Sequence, residues 1–263
     1  MQITQNTSMN KEAIYDIFYA QLAKDYSCSV EEIKNHENIV TVNTYPEGRR
    51  QFKPETFLAK IITLNGKFVL CVDECLREQA EILKKLPGEW ISLGQHIQKL
   101  NELTAEYGYT VMDQHHYYLP TGTPALSNEA IEQMKQQYTL TWYEGDELEQ
   151  FRGDKRFSFA LSFSDTAPDM LAVTAEKDGM ILGMSGASAD SDSMWQIGID
   201  VAKEARGQNI GPFLTILLKE EIIRRGKLPF YGTAESHIQS QRVGLKSGFF
   251  PAWWEAYSYR NAE

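Results

Sequence analysis

The sequence has few cysteines and lacks a long apolar run. Its three cysteines are odd in number, and no second pair of Cys or His accompanies Cys71 and Cys75, so neither a disulfide framework nor a zinc site is expected. No segment approaches the roughly 18 apolar residues that a membrane span needs. The first residues are polar and lack the basic-then-apolar pattern of an export signal. We expect a cytoplasmic protein with reduced thiols and no membrane partner.

Positive charge is also scarce. Lys and Arg total 26 against 36 Asp and Glu, which gives a formal net charge of −10. Because such a surface would repel nucleic-acid phosphates, no nucleic-acid partner is expected, whereas a cationic or amine-bearing substrate would be attracted. Hydrophobic residues make up 42% of the 263 residues, so the chain can bury a full core. Length alone allows one large or two small domains.

The most informative segment is Arg206-Gly207-Gln208-Asn209-Ile210-Gly211. Apolar alternation predicts a strand over residues 195–201 before it, and apolar spacing predicts a helix after it that ends near Arg225, with Gly226 as its cap. At a helix start, unpaired N–H groups and the positive end of the helix dipole favour a bound anion. Arg206 adds a guanidinium group suited to phosphate, and glycine lets the backbone approach a ligand. The segment therefore predicts a phosphate-binding loop.

Two common phosphate loops do not fit this segment. A mononucleotide loop needs Lys and then Ser or Thr after its last glycine, but Pro212 and Phe213 stand there. A dinucleotide fold needs a third spaced glycine and an acidic residue after a second strand, and neither is in register. The pattern that fits is Arg/Gln-x-x-Gly-x-Gly/Ala, with Asn209 in place of the first glycine. Asn tolerates a positive φ better than other non-glycine residues.

This loop resembles the coenzyme A pyrophosphate loop of the GNAT superfamily of N-acetyltransferases. The superfamily's second signature, Asn-x-x-Ala/Ser followed by a helix that closes on Gly-Phe, is similar to residues 236–249. His237 stands in place of Asn, Ser240 matches, and Gly248 and Phe249 match. The motifs MWQIGIDV, PFYGT and GFFPAW resemble a bacterial branch in which an acetyltransferase domain follows a separate N-terminal region.

The resemblance implies an α+β fold whose C-terminal part is a mixed, mostly antiparallel GNAT-type sheet flanked by helices. The expected order begins with a hairpin over residues 169–187 that turns at Asp178-Gly179, followed by the strand over 195–201 and the loop. A helix, a short strand over 229–233, a second helix and a last strand over 252–259 complete it.

A Pro/Gly/Thr-rich stretch over residues 119–124 predicts a domain boundary. We assign residues 1–120 to a smaller N-terminal α+β domain, 121–126 to a linker and 127–263 to the acyl-CoA-binding acetyltransferase domain. The elements predicted in the N-terminal domain are a helix over 11–24, a strand over 39–44, a hairpin over 57–72 turning at Asn65-Gly66, helices over 74–85 and 93–107, and a strand over 109–118. This domain fits either a diverged GNAT-like half or an unrelated α+β cap. Arg49 and Arg50 are expected in a solvated turn.

The resemblance also implies acetyl-CoA or coenzyme A as the bound cofactor. The residues expected to bind it belong to the strand before the loop, to the loop and to the second signature: Ile199, Val201, Arg206, Gly207, Gln208, Asn209, Ile210, Gly211, His237 and Ser240. No metal ligands are predicted.

Catalysis requires that the attacking ammonium lose a proton and that the departing thiolate be stabilised. The superfamily commonly provides a Tyr in the second signature as the acid, but Gly244 occupies that position. Phenols that could replace it are Tyr231, Tyr257 and Tyr259. Candidate bases are Asp200, Glu235 and His237. We predict Glu235, Tyr257 and Asp200 as catalytic residues, and Glu235 and Tyr257 are the leading candidates of the three.

The sequence thus predicts an acyl-CoA-dependent N-acetyltransferase that transfers acetyl from acetyl-CoA to an amine of a small molecule or peptide by direct attack. A non-catalytic acyl-CoA-binding or sensing protein is the alternative, because Asn209 and Gly244 both depart from the superfamily pattern. The amine substrate is the expected partner. The oligomeric state is left open, a homodimer included.

Overall fold

The computed structural model describes residues 9–50 and 57–261. The strands in these ranges are β1 (Ile39–Val42), β2 (Ala59–Leu64), β3 (Lys67–Val72), β4 (Tyr109–Leu119), β5 (Thr139–Glu144), β6 (Asp169–Lys177), β7 (Met180–Ala189), β8 (Met194–Val201), β9 (Leu228–Ala234) and β10 (Phe250–Arg260). The α-helices are α1 (Lys11–Asp25), α2 (Val30–Lys34), α3 (Arg77–Glu81), α4 (Gly94–Ala105), α5 (Asn128–Gln137), α6 (Ile210–Arg224) and α7 (Ile238–Lys246). Within the described residues, every helix is too short or too polar to cross a membrane.

The chain forms two compact units that do not follow the predicted boundary at 121–126. Of the described residues, unit 1 contains 9–17, 118–232 and 237–250, and unit 2 contains 18–50, 57–117, 233–236 and 251–261. The last strand groups with the N-terminal half because β10 pairs with β2 in an antiparallel ladder, with Ala256 opposite Ile61. Strand pairing, rather than order along the chain, therefore decides which segments form each unit.

The strands of unit 1 run in the order β5-β6-β7-β8-β9. From β5 to β8 each strand is antiparallel to the next, and β9 is parallel to β8. The β6–β7 hairpin turns at Asp178 and Gly179, whose φ values of 52° and 76° are those of a type I′ turn. The predicted mixed, mostly antiparallel sheet and its hairpin are confirmed.

Helix α6 packs on this sheet and supplies much of the core of unit 1. Most of its apolar side chains are buried, and Phe213, Leu214 and Leu218 are fully buried. The helix begins at Ile210, so Pro212 lies in its first turn, where a missing N–H removes no intrahelical hydrogen bond. After α6, Gly226 has a φ of +74°, as expected for a left-handed cap. The predicted strand, loop and helix are thus all present.

The segment between β5 and β6 consists largely of short 3-10 turns and was not predicted from the sequence, nor were α5 and β5. Part of this segment rests on a pair of glycines that face each other across β7 and β8, Gly186 and Gly198. A Cβ at Gly198 would lie 2.0 Å from the carbonyl oxygen of Phe159, and one at Gly186 would lie 2.1 Å from that of Ala160. The absence of a side chain at both positions therefore lets this backbone lie close against the sheet.

The strands of unit 2 run in the order β1-β3-β2-β10-β4, with β1 parallel to β3. The β2–β3 hairpin turns at Asn65 and Gly66, with φ values of 52° and 80°, as predicted. The predicted helix over residues 74–85 is instead divided into the short α3 and flanking 3-10 turns. This hairpin and β10 together form the centre of unit 2.

Arg50 does not lie in a solvated turn, contrary to the prediction. Its side chain is fully buried in unit 2, and its guanidinium donates hydrogen bonds to the carboxylates of Asp25 and Glu255. The hydroxyl groups of Tyr26 and Tyr257 donate to the same Glu255 carboxylate. A buried charge is tolerated only when paired and hydrogen-bonded in this way. The partners come from distant parts of the sequence, so local composition does not reveal them.

Candidate functional site

The segment over residues 206–211 forms a turn, exposed at residues 206–208, that leads into the buried first turn of α6. Gly207 and Asn209 both have positive φ, 82° and 61°, so the backbone bends sharply before the helix. In the described part of the chain, the N–H groups of residues 207–211 have no hydrogen-bond acceptor. They stand at the N-terminus of a 15-residue helix, where the dipole is positive. This arrangement suits a phosphate group.

Two exposed cations flank the turn. The Nε of Arg206 donates to the carbonyl oxygen of Val201 at 3.4 Å, and the Nζ of Lys246 donates to Oδ1 of Asn209 at 3.0 Å. Glu204, in the preceding 3-10 turn, is the acidic neighbour. Lys246 was not predicted as a site residue, because it lies 37 residues from Asn209 and only the packing of α7 brings it to the loop. Its amine adds positive charge beside the free N–H groups.

The ladder between β8 and β9 ends beside this loop. β8 pairs with β9 from Met194 to Ile197, with Ile197 opposite Tyr231, whereas it pairs with β7 as far as Val201. Residues 198–201 of β8 are therefore paired with β7 on one side and, in the described residues, lie beyond the end of the β9 ladder on the other. The two parallel strands stop pairing at the end of β8 that leads into residues 206–211.

The backbone of Ile199 and Val201 faces this unpaired side. The N–H of Ala202 donates to the carbonyl oxygen of Leu182 in β7. Leu182 comes just before Gly183, the β7 residue that pairs with Val201. N–H groups of an antiparallel strand point alternately to its two sides. Those of Ile199 and Val201 consequently point away from β7, where an extended ligand could accept hydrogen bonds from them.

The mixed, mostly antiparallel sheet and the loop between β8 and α6 are features that the sequence resemblance implied.

Comparisons with known proteins were made by sequence and by structure. The sequence matches no protein-family model and no curated protein. Among solved structures, the chain is similar to a GCN5-related N-acetyltransferase-like protein from Streptococcus suis, with a TM-score of 0.46, 13% identity, and coverage of 80% of this chain and 87% of that one. It is similar to a GNAT-family acetyltransferase from Colwellia psychrerythraea, with a TM-score of 0.45, 11% identity, and coverage of 96% and 98%. It is also similar to a GCN5-related N-acetyltransferase from Kribbella flavida, with a TM-score of 0.43, 15% identity, and coverage of 62% and 64%. At this level of likeness, ligand and chemistry have to be argued from the chain's own residues.

Three further residues of unit 1 that were predicted to bind the cofactor, Gly211, His237 and Ser240, differ in burial and in their contacts. Gly211 is buried in the first turn of α6, where a Cβ would lie 3.4 Å from the side chains of Val201 and Val243. His237 is exposed and precedes α7 without capping it by its side chain. The hydroxyl of Ser240 lies 2.8 Å from the hydroxyl of Tyr231. Of these three residues, Gly211 is positioned for an anion through its backbone N–H. The hydroxyl of Ser240 is hydrogen-bonded to the buried Tyr231.

Asp200, a predicted base, anchors the backbone of a neighbouring segment. Its Oδ2 accepts hydrogen bonds from the N–H groups of Phe159 and Ala160, at 2.8 and 2.9 Å. Partial burial raises the pKa of this carboxyl, while the two hydrogen bonds lower it. Because the same oxygen serves both donors, the geometry favours a structural role in holding residues 159–160 against Gly198.

Glu235 and Tyr257, the other two predicted catalytic residues, belong to unit 2. Glu235 is exposed, accepts a hydrogen bond from the indole Nε1 of Trp254 at 2.6 Å, and has its Oε1 3.6 Å from Nε2 of His116. A carboxylate beside an imidazole is suited to proton transfer, so the role of Glu235 as a base stays a prediction.

Tyr257 is 2% exposed and donates its hydroxyl hydrogen to Glu255, and its ring stacks on Phe57 at 4.9 Å. Burial, and secondarily the charge of Glu255, raises the pKa of this phenol well above its ordinary value. A phenol committed to a buried carboxylate is poorly placed to protonate a leaving group. The structure favours a packing role for Tyr257.

Proposed function

We propose that this chain is a member of the GNAT superfamily and an N-acyltransferase that transfers acetyl from acetyl-CoA to an amine of a small molecule or peptide. The observation that carries the proposal is the row of free N–H groups over residues 207–211, beside the end of β8 where pairing with β9 has stopped. The N–H groups and Arg206 would hold the diphosphate of coenzyme A. The unpaired edge of β8 would receive the extended pantetheine arm.

In the proposed reaction, the nitrogen lone pair of the neutral amine attacks the thioester carbonyl carbon. A C–N bond forms, the C–S bond breaks, and its electron pair leaves on sulfur. The N–H groups of Ile199 and Val201 are the proposed donors to the thioester, and the amine nitrogen releases its proton to solvent as the amide forms. Holding both reactants in place removes much of the entropic barrier to a reaction between two molecules.

A binding experiment tests the cofactor assignment. At a concentration one hundred times Kd, coenzyme A should stabilise the folded protein by about 2.7 kcal/mol, seen as a rise in Tm. Arg206→Ala should weaken this stabilisation, since an arginine contact with phosphate is lost. Arg224→Ala is the matched control, because Arg224 is an exposed arginine at the other end of α6 that pairs with Glu221. Absence of any shift at millimolar coenzyme A would refute the assignment.

A second candidate function is a non-catalytic acyl-CoA-binding or sensing protein. The glycine at position 244 favours it, because the phenol that commonly assists the leaving thiolate in the superfamily is missing there. Both candidates predict binding of coenzyme A, but only an enzyme releases free thiol from acetyl-CoA in the presence of an amine. Thiol release should be measured with a panel of amines from pH 7 to about 9.5, just below the reference pKa of lysine. No release above background with any amine would favour the binding protein.

A further inference from the structure

The space beside Gly244 in α7, where the superfamily commonly has a tyrosine, is filled by the ring of a tyrosine from β9. A Cβ built on Gly244 would lie 3.1 Å from Cδ1 and 3.4 Å from Cε1 of Tyr231, so the ring of Tyr231 lies directly against Gly244. Tyr231 stands in β9, as the last residue that pairs with β8. A larger residue at position 244 would displace this ring. Gly244 and Tyr231 are therefore complementary, and the glycine makes room for a phenol that comes from the sheet.

The hydroxyl of that phenol lies on the face of α7 where a tyrosine at position 244 would place its own. Side chains of a helix point back toward its N-terminus, so a tyrosine at position 244 would lie over residue 240, one turn earlier. In this chain, the hydroxyl of Tyr231 lies 2.8 Å from Oγ of Ser240. Tyr231 is 1% exposed, whereas Ser240 is partly exposed. The hydroxyl of Ser240 is thus the more accessible member of the pair.

The direction of the hydrogen bond follows from the acidity of the two groups. Burial raises the pKa of Tyr231 to about 12, so the phenol stays protonated over the pH range in which amines lose their protons. The distance alone allows either hydroxyl to be the donor, and because a phenol is a stronger acid than an aliphatic alcohol, we assign Tyr231 as the donor and the oxygen of Ser240 as the acceptor. The hydrogen of the Ser240 hydroxyl can then be donated to a different acceptor.

We propose that the hydroxyl of Ser240, oriented by the phenol of Tyr231, donates a hydrogen bond to the sulfur of coenzyme A as the thiolate leaves. This inference rests on the proposed acyl transfer. When the C–S bond breaks, its electron pair stays on sulfur, the Ser240 O–H stabilises the developing charge without losing its proton, and the thiolate takes a proton from water after departure. Ser240 is the group that touches the substrate, and Tyr231 is a positioning residue.

Four variants test the pair by steady-state release of thiol from acetyl-CoA. Ser240→Ala and Tyr231→Phe should each lower kcat by about 10- to 100-fold, the effect of one lost hydrogen bond to a charged group, with little change in the Kd of coenzyme A. The double variant should be no slower than Ser240→Ala, because the two residues act as one unit. Ser240→Thr keeps the hydroxyl and should retain most of the activity.

Tyr118→Phe is the matched control, because it removes a hydroxyl from a buried tyrosine of the same cluster whose ring centroid is 6.3 Å from that of Tyr231. Its kcat should match that of the parent. Equal kcat values for Tyr231→Phe, Ser240→Ala and Tyr118→Phe in an active parent would overturn the role of the pair and leave the acyl transfer standing. A parent that binds coenzyme A but releases no thiol with any amine would overturn both.

Discussion

Lys219 shows how burial changes the behaviour of a single residue. It is 7% exposed in α6, and its Nζ donates to the carbonyl oxygen of Ser247 at 2.7 Å. Burial lowers the pKa of its amine from 10.5 to about 8. Between these two pH values the unfolded chain binds a proton that the folded protein does not, so the contribution of Lys219 to the free energy of unfolding rises with pH.

The free energy of unfolding of Lys219→Met should therefore exceed that of the parent by the largest amount at low pH. From pH 7 to pH 10, the free energy of unfolding of Lys219→Met minus that of the parent should fall by up to about 3 kcal/mol, as the parent loses the cost of its buried charge. Urea denaturation at pH 7, 8.5 and 10 measures this difference. Lys135→Met, at an exposed lysine of α5, is the control, and its difference from the parent in free energy of unfolding should be the same at all three pH values. A pH-independent difference for Lys219→Met would contradict the prediction.

At the level of elements, the two ends of α6 provide a matched comparison. Gly207 before the helix and Gly226 after it are both exposed, have φ values of +82° and +74°, and have no heavy atom within 4 Å of an added Cβ. Alanine at either place should cost about 1 to 2 kcal/mol of stability, because left-handed backbone disfavours a side chain. Only Gly207→Ala should also weaken binding of coenzyme A, by about tenfold (1.4 kcal/mol), because only Gly207 shapes the phosphate loop.

Calorimetric titration with coenzyme A, together with urea denaturation, separates the two effects. The control variant Gly226→Ala should lose stability and keep the affinity of the parent. If the two variants bound coenzyme A equally well, the loop conformation would have no part in binding, and the assignment of residues 206–211 would fail.

Elements with a clear period or a strong turn signal were predictable from the sequence. The β6–β7 hairpin and α6 were recognised because Asp178-Gly179 and Gly226 mark turns that need positive φ. The segment over residues 145–161 was not recognised, because short 3-10 turns have no apolar period and their position depends on Gly186, Gly198 and Asp200 across the sheet. Such contacts join residues about forty positions apart, as between Asp200 and Ala160.

At the level of the whole molecule, the last strand decides the stability of unit 2. β10 pairs with β2 and supplies Glu255 to the buried Arg50. Truncation after Phe250 should abolish the protection of β2 and β3 amides from hydrogen exchange, because β2 loses a neighbour and Arg50 loses a carboxylate in the protein interior. The truncated protein should still bind coenzyme A, since the phosphate loop and β5 to β9 as far as Gly232 lie in unit 1.

Truncation after Arg260, which leaves β10 whole, is the control for this experiment. It should keep both the exchange protection of β2 and β3 and the binding of coenzyme A. Loss of protection in β6 and β7 together with β2 and β3 after truncation at Phe250 would show that the two units unfold as one, contrary to the prediction.

The sequence by itself determined the features that depend on neighbouring residues. Strand and helix periods, turn glycines and the run from Arg206 to Gly211 predicted the β6–β7 hairpin, β8, α6 and the loop between β8 and α6, because φ preferences and helix-end N–H groups are local properties. Only the tertiary structure decided which of the candidate side chains are held by hydrogen bonds. It tied Tyr257 to Glu255, Asp200 to Phe159 and Ala160, and Tyr231 to Ser240. Burial and side-chain hydrogen bonding depend on how the strands and helices pack, and neither is encoded in spacing along the chain.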